Sequence, residues 1–197
     1  MSELEELPIF PLRTILYPGS KLPLRIFEPR YIDMISSCMR EDSEFGIILS
    51  RESADPKMFE TYDLGTLAKI IDWNQGDDGL LGITTMGTQK FRLKSMNKQE
   101  DGLNIGNIER IENEGEFTPT KEFNHLVELL IAILDDVNIY SEEEKNFDSA
   151  SWISYRFAEI LPISLEDKQK CLEIDDPLIR LNYLQPLIKM IRESSQQ

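Results

Sequence analysis

Apolar positions change their rhythm near residue 116. Before it they fall into short runs and alternations bounded by Pro, Gly, Asn and Asp; beyond it they recur every third or fourth residue. Leu7 to Leu12 reads as a strand interrupted by Pro8 and Pro11. Proline donates nothing to a ladder, so this strand is expected at a sheet edge or with a bulge. Tyr17-Pro18-Gly19 turns the chain, and Lys21 to Phe27 returns as a second strand. Pro29 suits the first turn of a helix, where its missing N–H would be unpaired in any case. Tyr31, Ile35, Cys38 and Met39 mark the apolar face of that helix, which should end near Glu41-Asp42.

Phe45 to Leu49 reads as a buried strand, Ser53 to Lys57 as a loop holding Pro56, and Thr66 to Trp73 as the next strand. Asn74 to Gly79 is dense in turn formers and closes a hairpin with Leu80 to Thr85. Gly87 interrupts the pattern, as at a bulge or sharp bend, and Phe91, Leu93 and Ser95 resume it. Asp101-Gly102 signals a second hairpin, leading into Leu103 to Ile111. Roughly six to seven strands with one early helix predict a closed or nearly closed small barrel.

The composition changes at Asn113 to Glu116, which divides a β-rich region, 1–115, from a helical one, 116–197. Thr118-Pro119 reads as a cap with proline at the first helical position. Phe123, Leu126, Val127, Leu130 and Leu134 follow on one face, and Leu129, Ile131 and Ile133 widen it, so burial on more than one side is expected. Ser141 to Lys145 is an acidic linker. Trp152, Ile153, Phe157, Ile160 and Leu161 mark a helix ended by Pro162. Ser164 and Asp167 resemble a capping box opening a short third helix, and Asp176-Pro177 caps a fourth. Its face is Leu178, Leu181, Ile188 and Ile191, with a kink or break expected at Pro186. The tail from Glu193 to Gln197 should fray.

Charge and cysteine usage narrow the function. Thirty-six acidic against 21 basic residues leave a net charge of −15 over 197 residues. That opposes nucleic acid, which requires a surplus of Lys and Arg. Arg13, Lys21, Arg25 and Arg30 form the one loose basic cluster, diluted by Glu28. Two cysteines, Cys38 and Cys171, read as reduced thiols on helices and suit a reducing compartment. The acidic N-terminus has no signal-peptide core, and the longest apolar stretch, Leu129 to Leu134, is far short of a membrane span. A cytoplasmic protein that does not enter membranes is expected.

No catalytic, cofactor or metal site emerges. His125, the single histidine, lies in a helix without a matching nucleophile signature. One His and two Cys cannot fill a zinc tetrahedron. Asp72 to Asp77 departs from a calcium loop, with glycine a position early and Ile83 where the bidentate Glu belongs. The acidic pairs Asp77-Asp78, Asp135-Asp136 and Asp175-Asp176 read as solvating or capping groups. No phosphate-binding glycine loop is present. Trp73 and Phe91 either pair as an aromatic surface or, by default for such strands, pack in the core. The remaining constellation is Arg25, Glu28 and Arg30 beside Tyr31 and near Tyr17. These groups either bind a peptide carboxylate or backbone, or lock the junction of strand and helix through Glu28 as cap and ion-pair partner. The structural role is the favoured reading.

Leu7-Pro8 with Phe10-Pro11-Leu12, then Tyr17-Pro18-Gly19, then Pro23-Leu24 with Ile26-Phe27-Glu28 and Arg30-Tyr31, resembles the N-terminal domain of the Lon ATP-dependent proteases. Gly46-Ile47-Ile48 and Gly65-Thr66 with Ala68 fit its next strands. Leu161-Pro162 with Ser164, Lys168-Gln169 with Cys171-Leu172-Glu173, and Asp176-Pro177 with Arg180-Leu181 resemble its helical part. The resemblance implies an α+β fold: an N-terminal PUA-like pseudo-β-barrel with one early helix, followed by a C-terminal helical bundle. It also implies a non-catalytic module that binds polypeptide substrates or partner proteins, without the ATPase and Ser–Lys protease modules of Lon. An RNA-binding PUA-like module and a small-ligand-binding regulatory protein are the alternatives. The chain departs from the family at Tyr17, where Phe is commoner, and at Pro186, expected to interrupt the helix that leads onward in Lon; an interrupted final helix suits a free-standing protein.

Overall fold

The computed structural model describes residues 4–51, 60–115, 117–137, 140 and 145–194. The expected loop at Ser53 to Lys57 lies outside these residues, as do most of the linker from Ser141 and the end of the tail. The molecule is an α+β protein, with one compact unit at Met1–Asn113 and a second at Glu114–Gln197.

Among the described residues the first unit holds six strands and a helix: β1 (Glu5–Leu12), β2 (Lys21–Ile26), α1 (Pro29–Glu41), β3 (Phe45–Arg51), β4 (Glu60–Gln75), β5 (Leu81–Lys98) and β6 (Asn104–Arg110). Their order is β2-β5-β4-β3-β1-β6, and β5 also pairs with β6, so five strands close a ring and β2 extends from β5. A single strand of 18 residues makes closure possible: β5 pairs with β2 through its first half and with β6 through its second. Gly87, expected at a bulge or sharp bend, lies inside this strand at a shift of register against β4, between the pairs Ala68–Gly87 and Thr66–Lys90. Its N–H donates to the Ser20 carbonyl and its carbonyl accepts from Gly19, at 2.9 and 2.8 Å. A Cβ there would stand 2.2 Å from the Tyr17 carbonyl oxygen, so glycine lets the 17–20 turn lie against β5.

β1 is not an edge strand. It lies between β3, parallel from Ile9 to Leu12, and β6, antiparallel from Glu5 to Ile9. Pro8 precedes the pairing with β3 and Pro11 follows the pairing with β6, so each proline has one flank without a ladder to interrupt. α1 begins at Pro29 and ends at Glu41, where the left-handed backbone of Asp42 (φ 50°) caps it. Tyr31, Met34, Ile35 and Cys38 are its buried face, whereas Met39, expected on that face, is exposed. The face packs into a cluster with Phe10, Ile26, Phe45 and Ile83, while Leu7, Ile9, Leu67, Phe91 and Ile108 form a second one.

The second unit holds α2 (Asn124–Val137), α3 (Ala150–Ile160), α4 (Leu165–Glu173) and α5 (Pro177–Ser194). Helical backbone starts with a 3-10 turn at Lys121–Phe123 capped by Thr120, two residues beyond the expected Thr118-Pro119 start. α2 buries a single stripe, Leu126, Leu130 and Leu134; Leu129 and Ile133 are half-buried and Ile131 is exposed, so its apolar face is wider than its packing. Ser164 accepts from the Asp167 N–H at 3.0 Å, and Asp176 from Leu178 and Ile179 at 2.8 and 3.2 Å, as the capping patterns predict. α5 runs unbroken through Pro186. Buried Leu184 and Ile188 on either side hold both halves on one face, outweighing the lost bond.

A buried arginine ties α3 and α4 to α5. Arg180 donates from Nε to the Cys171 carbonyl at 2.7 Å and from Nη1 to Ser154 at 2.9 Å, and pairs with Glu114 through Nη2. Ser151 and Tyr155 donate their hydroxyls to the same carboxylate.

Candidate functional site

The barrel wall has an open flank where β6 stops. Among the described residues, β1 beyond Ile9 has β3 on one side and no strand on the other, and β2 pairs with β5 alone. Since Gly87 donates to Ser20 in the same register, alternate residues of β2 turn their backbone groups toward β5. Lys21, Pro23 and Arg25 therefore turn theirs to the side away from β5. Between these two flanks lies a groove of about 420 Å³. Phe10 and Tyr31, stacked at 3.9 Å between ring centroids, form part of its wall, with Leu12, Leu24 and Phe27 beside them. Phe27 is 67% exposed, an unusual position for a phenylalanine directly after a core strand.

Four of the five residues singled out in the sequence line this groove: Arg25, Glu28, Arg30 and Tyr31. Tyr17 does not. It is 1% exposed in the interior, and its carbonyl closes the turn by accepting from Ser20 at 3.0 Å. Arg25 reaches to Asp78 in the β4–β5 hairpin. Glu28 occupies the N-cap position of α1 but makes no side-chain cap bond; its carboxylate pairs with Arg30 at 2.6 Å. Arg30 also donates from Nη1 to the Gly102 carbonyl at 2.8 Å, and its guanidinium lies 4.8 Å from the Tyr31 ring centroid. Burial pushes the Tyr31 phenol up, Arg30 opposes the rise and Glu28 adds to it. These bonds join the start of α1 to the β5–β6 turn.

Lys98 and Asn104 complete the groove at the end of the β5–β6 hairpin. Nothing in their own segments marks them. The signal available for Phe27 was its position between the strand's last core residue and the helix cap. Trp73 is 59% exposed and Phe91 is buried, so the two do not form a shared aromatic surface, and core packing holds for Phe91 alone. Trp73 lines a cleft of about 780 Å³ on the outer face of β2, β5 and β4, with Arg25 and Asp78. His125 is exposed at a groove of about 600 Å³ between α2 and α5, among Leu126, Leu129 and Pro186, with no serine or cysteine in its lining. Among the described residues no group of three or more His, Cys, Asp or Glu stands close enough to hold a metal ion, and no helix is long and apolar enough to cross a membrane.

A five-strand ring with an extending strand and an early helix, joined in sequence to a helical bundle, is the architecture of a Lon-type N-terminal domain. The chain belongs to the family described as the ATP-dependent protease La (LON) substrate-binding domain, whose model matches residues 6–190. The crystal structure of a Lon N-terminal domain protein from Xanthomonas campestris is 32% identical, covers 91% of this chain and 96% of its own, and superposes with a TM-score of 0.78. The N-terminal domain of a Mycobacterium avium complex Lon protease, 17% identical over 91% of this chain and 96% of its own at a TM-score of 0.67, shares the fold. Among curated proteins, the Lon protease of Erwinia amylovora is 25% identical across 95% of this chain and 25% of its own length. That of Escherichia coli K12 is 24% identical across the same shares, 95% and 25%. The chain thus spans about a quarter of the length of these relatives.

Proposed function

We propose that this chain is a polypeptide-binding module of the cytoplasm whose 197 residues carry out no catalysis of their own. Unfolded or partly folded segments bind at the groove between β1 and β2, with Phe27, Phe10 and Tyr31 supplying apolar contact. Arg25, Glu28 and Arg30 shape its polar side, and Tyr17 supports the turn behind it.

The observation that carries this reading is Phe27, 67% exposed beside a groove walled by Phe10, Leu12, Leu24 and Tyr31. An exposed aromatic side chain contiguous with an apolar concave wall supports an interaction site. The family description points the same way, since it is that of a substrate-binding domain. The net charge of −15 weighs against an RNA ligand.

The test is fluorescence anisotropy with labelled α-lactalbumin, reduced and carbamidomethylated so that it stays unfolded. Saturable binding is expected, weakened about tenfold or more by Phe27→Ser, as for a central aromatic contact. Absence of binding, or full binding by the variant, refutes the reading.

A further inference from the structure

One buried donor at the groove has no acceptor among the described residues, and two more accessible side chains there have no protein partner. Arg30 places Nη1 on the Gly102 carbonyl and Nη2 on Glu28, but its Nε–H, buried from solvent, meets no acceptor. The Lys98 ammonium and the Asn104 side-chain amide make no hydrogen bond or ion pair among the described residues. Arg25 is neutralised by Asp78 and Arg30 by Glu28, so Lys98 is the uncompensated charge of the groove. That ammonium, alone among the groove's cations in having no protein counter-charge among the described residues, is complementary to a carboxylate.

The groove is polar at one end and apolar at the other. Asn104 stands opposite Ile9 on β1 and opposite Lys98 on β5. Phe10, stacked on Tyr31, is the next residue along β1 and Leu12 lies two beyond it, so the apolar wall runs from about 3 Å to about 10 Å along the strand from that point. Strand addition to either open flank is disfavoured. Pro23 is one of the residues whose backbone faces the side of β2 away from β5, and Pro11 follows the last β6 pairing of β1. Recognition therefore falls to side chains.

We infer that the groove takes an extended polypeptide segment in which an apolar side chain and an acidic side chain stand two residues apart. Such side chains share one face of an extended chain about 7 Å apart. The apolar group packs at Phe10 and Tyr31, and the carboxylate meets Lys98 and Asn104. This rests on the polypeptide-binding reading and specifies its ligand.

The experiment uses the full chain and labelled heptapeptides blocked at both ends, with central Leu-Ser-Glu, Leu-Ser-Gln, Leu-Ser-Lys or Leu-Glu-Ser. The Leu-Ser-Glu peptide should bind about three- to tenfold more tightly than the other three, as for a partly exposed charge pair. Lys98 is exposed, and Lys98→Glu should reverse the order in favour of Leu-Ser-Lys. Equal binding of the Glu and Gln peptides, or an unchanged order in Lys98→Glu, overturns the inference. So does tighter binding of an unblocked peptide ending in Leu-Ser, which would assign the site to chain termini. If unfolded α-lactalbumin binds while the peptides show no order, this inference falls and the general reading stands; if neither binds, both fall.

Discussion

Arg180 and Glu114 meet in the interior of the helical unit, their side chains 0% and 7% exposed. Residues from α3, from the end of α4 and from the segment before α2 converge on this pair. Glu114→Gln leaves the guanidinium buried without its counter-charge, and should cost about 3–5 kcal/mol in urea unfolding. Replacing both residues together, as Arg180→Met with Glu114→Leu, should recover part of that loss, because the desolvation of two charges disappears with them.

The same pair predicts a pH dependence. Burial by itself would raise the Glu114 pKa, but the hydrogen bond and charge of Arg180, with Ser151 and Tyr155 donating, hold it below the ordinary 4.5. A depressed folded-state pKa contributes stability that is complete above the unfolded value and is lost as pH falls through the folded one. Wild type should therefore lose stability more steeply than Glu114→Gln below about pH 4.5, and the two unfolding curves should converge with acid.

Two glycines separate backbone crowding from side-chain crowding in the barrel. A Cβ on Gly65 would lie 2.5 Å from the Ile47 carbonyl oxygen and 2.6 Å from Cζ of Phe91. On Gly46 the contacts are with side chains, Ile9 Cδ1 at 2.7 Å and Phe91 Cζ at 2.8 Å. Either alanine substitution should destabilise by about 1–3 kcal/mol. In chemical denaturation, shortening Phe91 to Leu should offset part of the defect of Gly46→Ala and less of that of Gly65→Ala, whose carbonyl clash remains.

Features set by neighbours in sequence were legible before the fold. Pro29 opening α1, Asp101-Gly102 at the hairpin, and Ser164 with Asp167 at α4 each rest on bonds within a few residues. The interior place of β1 was not, because it depends on β5 being long enough to close the ring. Four groove residues were legible because they cluster between Arg25 and Tyr31; Lys98 and Asn104 come from a distant hairpin. Arg180 matched a family block without disclosing its burial, since arginine is ordinarily a surface residue.

Pro186 offers a gain of stability. It is exposed, lies in the middle of α5, and cannot donate to the carbonyl of Asn182 one turn earlier. Pro186→Ala supplies that donor on a helix already continuous through the site. An increase of about 1–3 kcal/mol is expected, read as a higher urea midpoint at unchanged slope. A fall would mean that the proline shapes the packing of Leu184 and Ile188.

The two cysteines report separately on the two units. Burial pushes the Cys171 thiol up to about 12 and also raises that of Cys38. Both are enclosed, Cys38 on α1 in the barrel unit and Cys171 on α4 in the helical unit. A thiol-disulfide reagent attacks through the thiolate, so in the native protein each should label only after local or global opening. If the two regions open as independent units, Glu114→Gln should speed labelling of Cys171 more than of Cys38, because Arg180 bonds the Cys171 carbonyl. Gly65→Ala, a defect in the barrel, should do the reverse. Mass spectrometry of partly labelled protein distinguishes the sites, and equal acceleration of both thiols by either substitution would instead mean a single cooperative unit.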